Sequence, residues 1–285
     1  MSRALGSGLT AHLAGSAHSR AKLLRLDLAD GTVLAVTDHD RDLTFDLGDG
    51  AVTYSASTGI SISDVALSTG FGADDLELAG PIGAAVTRAA VLGGRFDAAR
   101  ARLCMVNWAA LGDGAIKLLL GRVVQAAVSG GRFRFTVHSE ASQFQQSVGR
   151  VVAPYCEADF GDARCGYAVA AVAASLVAVT DDRAFQVSFA GTYAADYFNR
   201  GTVQFLTGAL AGTRKVEVFD WSAIGDVALF MPLAAAPVVG DTLTLRQGCE
   251  KTRAACLVYG NVINFRGFPD VPGSDKVLSY PQGGG

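Results

Sequence analysis

"KLLRLDLADGTVLAVTD", residues 22–38, alternates apolar and polar side chains and breaks once, at Asp30-Gly31. Alternation places successive side chains on opposite faces of an extended chain, and Asp-Gly suits the left-handed conformations of a tight hairpin turn. The stretch therefore predicts two antiparallel strands joined at Asp30-Gly31. The same pattern runs outward from it. "LGDGAVTYSA" (47–56) carries a second turn at Asp49-Gly50, and "GISISDVAL" (59–67) and "DDLELAG" (74–80) continue the β reading. "DAARARLCMVNWAAL" (97–111) alternates as a strand. Ala99, Ala101, Leu103 and Met105 fall on one side, and Arg100, Arg102 and Cys104 on the other. "IKLLLGRVVQAAVSGGRFRFTVHSE" (116–140) reads as two strands around Gly130-Gly131.

Helices are few in this reading. Residues 1–20 predict a helix from Ser7 onward. Residues 81–94 predict a short one, with Pro81 near its start and Gly93-Gly94 at its end. Residues 140–151 are helical in composition. Beyond Pro154, apolar runs such as "AFQVSFAG" (184–191), "GTVQFLTG" (201–208) and "DTLTLRQG" (241–248) recur between Gly, Asp and Asn, as in a barrel or sandwich. The expected fold is mainly β, a β-rich α+β chain. It has two barrel- or sandwich-like domains with a few short helices, divided into 1–152 and 153–285.

The bulk properties narrow the function. The 285 residues fit about two domains at ~150 residues each. Charged residues make up 18%, below the usual ~25%, which is expected where other subunits cover much of the surface. A formal net charge of −3 argues against general or sequence-specific nucleic-acid binding, which needs clustered Lys and Arg. The longest apolar run, "YAVAAVAASLVAVT" (167–180), is too short for a transmembrane segment. The first residues lack the basic end and apolar core of a signal peptide. The expectation is folding in a cytoplasm, where thiols stay reduced.

Four of the five cysteines come as two pairs. Cys156 and Cys165 lie in "PYCEADFGDARCGY" (154–167), and Cys249 and Cys256 in "GCEKTRAACLVYG" (248–260). Two disulfides, one metal site and four separate core thiols are the competing readings. The reduced compartment weakens the first. Gaps of eight and six residues within the pairs are wider than structural zinc usually takes. Iron–sulfur clusters need four thiolates at spacings set by the fold, and a cubane tolerates wider loops. Gly161, Gly166 and Gly248 would let backbone N–H groups approach sulfur, and Arg164, Lys251 and Arg253 would offset thiolate charge. Arg266, between Phe265 and Phe268 in "NFRGFP", would cover such a site or dock a neighbour. The fifth, Cys104, reads as a core or interface residue.

Other polar clusters are weaker. In "TDHDRD" (37–42) a strand would align Asp38, Asp40 and Asp42 on one face, opposite His39, as for a hard cation, but a strand end or subunit contact is the favoured reading. His138 and Ser139 are adjacent and point apart, so "VHSE" is no ready triad. "GFGADD" (70–75) has no following Lys and is no phosphate loop. His12 and His18, six apart, would occupy different faces of a continuous helix.

Longer strings add a resemblance. "VTDHDRDLTFDLGDGAVTYSASTGISIS" (36–63), "FGADDLELAG" (71–80), "DAARARLCMVNW" (97–108), "YCEADFGDARCG" (155–166) and "GCEKTRAACLVYGNVINFRGFPDVPG" (248–273) resemble the phage conserved tail hub proteins of siphophages and gene transfer agents, over roughly residues 20–275. The resemblance implies a non-enzymatic baseplate protein that forms a homotrimeric ring at the distal end of a virion tail. It implies assembly in the bacterial cytoplasm. The implied partners are a distal tail protein, a central megatron-like tail fibre or tip protein, and a separate tail peptidase. It further implies a [4Fe-4S] cluster held by Cys156, Cys165, Cys249 and Cys256. A second reading, an iron–sulfur redox or metal-dependent enzyme, calls for flavin or haem fingerprints, and none is present in the sequence.

Overall fold

The computed structural model describes residues 6–56, 59–65 and 74–271. The elements run α1 (Ser7–Ala14), β1 (Arg20–Asp27), β2 (Val33–Thr37), β3 (Leu43–Asp46), β4 (Ala51–Ala56), β5 (Ser61–Ile62), β6 (Asp75–Pro81), α2 (Arg88–Leu92), β7 (Arg100–Asn107), β8 (Ala115–Ser129) and β9 (Arg132–Ser139). They continue with β10 (Ala171–Val179), β11 (Ala184–Phe189), β12 (Thr202–Phe205), β13 (Val216–Trp221), β14 (Asp226–Leu229), β15 (Thr242–Arg246) and α3 (Arg253–Val258). The fold is mostly β, as expected. Two compact units emerge. One comprises Met1–Ser147 with Gly212–Arg214, and the other Val148–Ala211 with Lys215–Gly285.

The first unit is built on a nine-stranded sheet, ordered β3-β4-β2-β1-β7-β8-β9-β6-β5. The Asp30-Gly31 hairpin forms with Leu26 opposite Leu34 and Leu24 opposite Val36. Gly31 takes φ 83°, and Asp30 Oδ1 accepts from the Thr32 N–H at 2.9 Å. This is the local chemistry that Asp-Gly supplies at a turn. Leu24, Leu26, Leu78, Leu103, Phe133 and Phe135 fill the core on one face, with Phe96, Ala90 and Val91 packed among them.

Three helical expectations shrink. Pro81 ends β6 instead of opening a helix, and α2 spans only Arg88–Leu92 behind a Thr87 cap, whose Oγ1 accepts from the Ala90 N–H at 3.1 Å. Residues 140–151 form one 3-10 stretch, Glu140–Gln145, followed by irregular chain. Helix α1 ends at Ala14, so the chain turns back and brings the His12 and His18 rings edge-on at 5.7 Å. The expectation of separate faces on a continuous helix therefore fails. The alternation of β7 also slips. A register shift between Leu103 and Cys104 buries both neighbours and leaves Met105 half-buried.

The second unit is a closed six-stranded barrel, β10-β11-β14-β13-β12-β15. Closure removes the unpaired edges that an open sheet exposes. Leu176, Phe185, Val187, Phe205, Trp221 and Leu245 are among its buried core residues. A segment ahead of the barrel, residues 148–170, and another after it, residues 247–271, carry the paired cysteines.

Candidate functional site

Strand β15 delivers the second cysteine pair. It ends at Arg246, and Gly248 then passes hard against residues 199–201: a Cβ there would collide with the Asn199 carbonyl and the Gly201 nitrogen. Only glycine allows that approach, and it sets the exit direction of Cys249. The chain next enters α3, whose Thr252 cap accepts from the Ala255 N–H at 3.1 Å. This turn of helix presents Cys256.

The first pair sits in a loop organised by Asp162. Its Oδ1 accepts from the N–H groups of Arg164 (3.0 Å) and Cys165 (2.6 Å), and its Oδ2 from the N–H of Asp159 (3.2 Å). The Cys165 N–H bond leads in holding the Asp162 carboxyl below the usual range. Gly161 and Gly166 adopt φ 84° and 67°, closing the loop.

The two segments are tied together directly. The Cys156 N–H donates to the Lys251 carbonyl at 2.8 Å, and the Phe268 N–H to the Ala153 carbonyl at 2.9 Å. Phe160, Tyr167 and Tyr259 pack as an aromatic trio with centroids 5.0–5.1 Å apart. The Tyr259 hydroxyl donates to the Gly248 carbonyl at 2.9 Å.

All four paired cysteines then line one narrow cavity of ≈ 20 Å³, with Phe160, Phe265 and Asn261 among its walls. All five cysteines of the chain are free thiols. Among the described residues, no group of three or more His, Cys, Asp or Glu side chains is arranged to hold a metal ion. The four cysteines share one lining without forming a group that would hold a single ion. A multi-iron cluster, whose irons sit at separate corners, suits that arrangement better than zinc does.

Hydrogen bonds support the sulfurs. The Lys251 N–H donates to Cys249 Sγ at 3.3 Å, the Arg266 N–H to Cys156 Sγ at 3.4 Å, and Asn261 Nδ2 to Cys165 Sγ at 3.5 Å. Such bonds would tune a bound cluster. Burial pushes the Cys249 and Cys256 thiols up, and the charges of the neighbouring cysteines push the same way. The four side chains therefore fit a thiolate-ligated cluster in donor type, in number and in their supporting N–H groups.

Several expected helpers act differently. The N–H donors come from Lys251 and Arg266, not from the glycines. Arg164 pairs with Glu157 (3.1 Å) and Asp162 (3.4 Å), Lys251 Nζ with Asp159 (3.4 Å), and Arg253 with Asp270 (3.4 Å). These guanidinium and ammonium groups thus answer carboxylates. Asn261 had no signal of its own in the sequence, though it does the most bridging. Its Nδ2 donates to the Cys165 carbonyl at 2.7 Å, its N–H donates to the Cys256 carbonyl at 3.0 Å, and its own carbonyl accepts from Cys256 Sγ at 3.2 Å. Thr252 before "RAACLV" and Gly260 after it did mark α3, the element that the β reading passed over.

Among the described residues, the remaining polar clusters make separate local bonds. Residues 38–42 are a bend, not a strand, and the three aspartates separate. Asp38 Oδ1 accepts from the Lys22 N–H at 2.6 Å, and Asp42 Oδ1 from the Ala56 N–H at 2.7 Å. Asp40 Oδ1 lies 3.1 Å from His39 Nδ1, and that ring packs on Trp108 at 4.9 Å. Ser139 Oγ accepts from the Asp74 N–H at 3.0 Å, while His138 faces Asp75 at 3.4 Å, so no triad forms. Residues 70–73 and 272–275 lie outside the described residues.

Comparison with known proteins places this architecture. Residues 6–168 match the family "Baseplate hub protein, N-terminal attachment domain", and residues 196–275 match "Phage conserved hypothetical protein BR0599". No curated protein matches the chain. Among solved structures, a chain in the virion of a native gene transfer agent particle is 31% identical, with a TM-score of 0.82, over 98% of this chain and 97% of that one. The match to the attachment domain covers more than half of the sequence, and the chain belongs to the baseplate hub protein family of phages and their relatives.

Proposed function

We propose that this protein is the structural hub at the distal end of the tail in a phage-like or gene transfer agent particle, that it assembles as a homotrimeric ring, and that its second unit carries a [4Fe-4S] cluster on Cys156, Cys165, Cys249 and Cys256. The hub role rests on near full-length likeness to a virion chain at 31% identity. The cluster rests on one observation above the others: four free thiols from two distant segments line a single cavity. When bound, the cluster supplies a covalent cross-link between those segments.

The protein's own residues prepare that cross-link. Asn261 and Cys165 are 96 positions apart, and Arg266 and Cys156 are 110 apart. Closing loops of this length removes entropy from the unfolded chain equivalent to roughly 4–5 kcal/mol. A hub that transmits load through a tail benefits from such rigidity. The ring would engage a distal tail protein on one side and a central fibre or tip protein on the other, with peptidase activity residing in a separate chain.

The assembly reading is tested by native mass measurement of the purified chain and by protein identification in purified particles. A trimeric mass and presence in tail fractions support it. A monomer at all concentrations, absent from particles, refutes it.

A further inference from the structure

A second, larger cavity adjoins the sulfur cage. It measures ≈ 1030 Å³, and Phe160, Cys249, Lys251 and Thr252 line both spaces. Of the four paired cysteines, Cys249 alone faces both.

The walls of this cleft carry Arg200, Lys215, Arg246 and Lys251. Lys251 pairs with Asp159 at 3.4 Å. The other three cations make no side-chain hydrogen bond or ion pair among the described residues, although Glu217 and Glu250 also line the cleft. Among the described residues, three unanswered cations against two unanswered carboxylates leave the cleft positive in a chain of net charge −3. The β-barrel fixes part of this set: Thr202 pairs with Arg246 on one side and with Glu217 on the other, so their side chains share one level of the wall.

Backbone strain points to the same place. Arg200 and Lys251, neither of them glycine, hold φ 57° and 59°. Left-handed conformations are strained for a non-glycine residue and cluster at working sites. At Lys251 that conformation accompanies the N–H bond to Cys249 Sγ.

The geometry points to an anion-steering entrance: the cleft concentrates small dianionic species, such as thiolate complexes of iron and anionic reductants, at Cys249, the first of the four sulfurs that they meet. Focused positive potential in a low-dielectric cleft raises the encounter rate of anions and is weakened by salt. The inference rests on reading the four thiols as one metal cage, but its test does not need metal.

Full-length chain purified with chelator is reacted with Ellman's reagent, a dianion, and separately with neutral dithiodipyridine. In each case the attacking thiolate forms a mixed disulfide, the reagent's S–S bond breaks, and one aromatic thiolate leaves. Because both reagents meet the same thiols, cysteine ionisation cancels in the ratio of rates. Peptide mapping is expected to find Cys249 modified first. Arg246→Glu and Lys215→Glu are each expected to lower the ratio of anionic to neutral rate about five-fold at low ionic strength, and hardly at all near ~1 M salt. Arg88→Glu, a charge reversal in the first unit, controls for net charge, and circular dichroism confirms that every variant is folded. A different cysteine reacting first, or a ratio indifferent to both variants and to salt, overturns the proposal. Steering in a chain that never binds iron keeps the entrance and refutes the cluster. Iron binding without steering does the reverse.

Discussion

The side-chain amide of Asn261 donates to the Cys165 carbonyl at 2.7 Å and reaches the Cys165 sulfur at 3.5 Å, across 96 positions of chain. Two cysteine-bearing segments that lie on either side of the barrel in sequence are thus joined by one amide. Asn261→Asp replaces the donor with a second acceptor facing a carbonyl and a sulfur. It is expected to cost about 1–3 kcal/mol, read as a shift in urea midpoint, and to expose the 156–165 loop to limited proteolysis. Unchanged midpoint and protection would remove Asn261 from the account.

Gly248→Ala drives a Cβ into the Asn199 carbonyl and the Gly201 nitrogen. The backbone must yield at the point where β15 hands over to Cys249. Destabilisation of roughly 3 kcal/mol is expected, together with loss of metal from the purified chain. Gly240→Ala has open space around it, though its φ of 94° adds backbone strain. It is expected to lower stability without loss of metal.

Cys104 stands apart from the cage. Burial pushes its thiol up to about 11, so little thiolate exists near neutral pH. Thiol-specific alkylation of the folded chain at pH ~8 is expected to spare Cys104 and to reach it only after denaturation. Rapid labelling of Cys104 in folded protein would contradict its place in the core.

Asp30 links the opening hairpin to pH. Burial works to raise its carboxyl, but the Thr32 hydroxyl and N–H and the Arg95 guanidinium outweigh burial and lower it below the usual 3.8. A depressed folded value means that the contribution is present above the unfolded value and is lost as pH falls through the folded one. The stability difference between wild type and Asp30→Asn is therefore expected at neutral pH, at about 1 kcal/mol or less for this partly exposed pair. It should shrink as pH drops below about 3.8. Acid and urea titrations of both chains check this.

The β framework was legible because its signals are local. Asp30-Gly31, Asp49-Gly50 and Gly130-Gly131 each lie at a strand junction that alternation alone marks. What escaped depends on partners distant in sequence. Nothing local to "RARLCMVN" reveals the register shift that buries Cys104, because the shift arises where β8 pairs with it. Pro81 satisfies a helix-start rule, yet its neighbours pair with β9 from Leu76 to Gly80 and carry it into the sheet. At the site, residue type and pairing singled out the four cysteines. The spacing alone left disulfide, metal and core readings open, and the structure adds their shared cavity. Asn261 was illegible because an asparagine beside a helix end is common, and only the fold brings Cys165 to it.

The decisive measurement is the metal and sulfide content of the full-length chain, purified without oxygen. About four iron and four acid-labile sulfide per chain are expected, with visible absorption that is lost on Cys→Ser substitution at position 156, 165, 249 or 256. Zinc without iron, or four titratable thiols without any metal, would contradict the cluster.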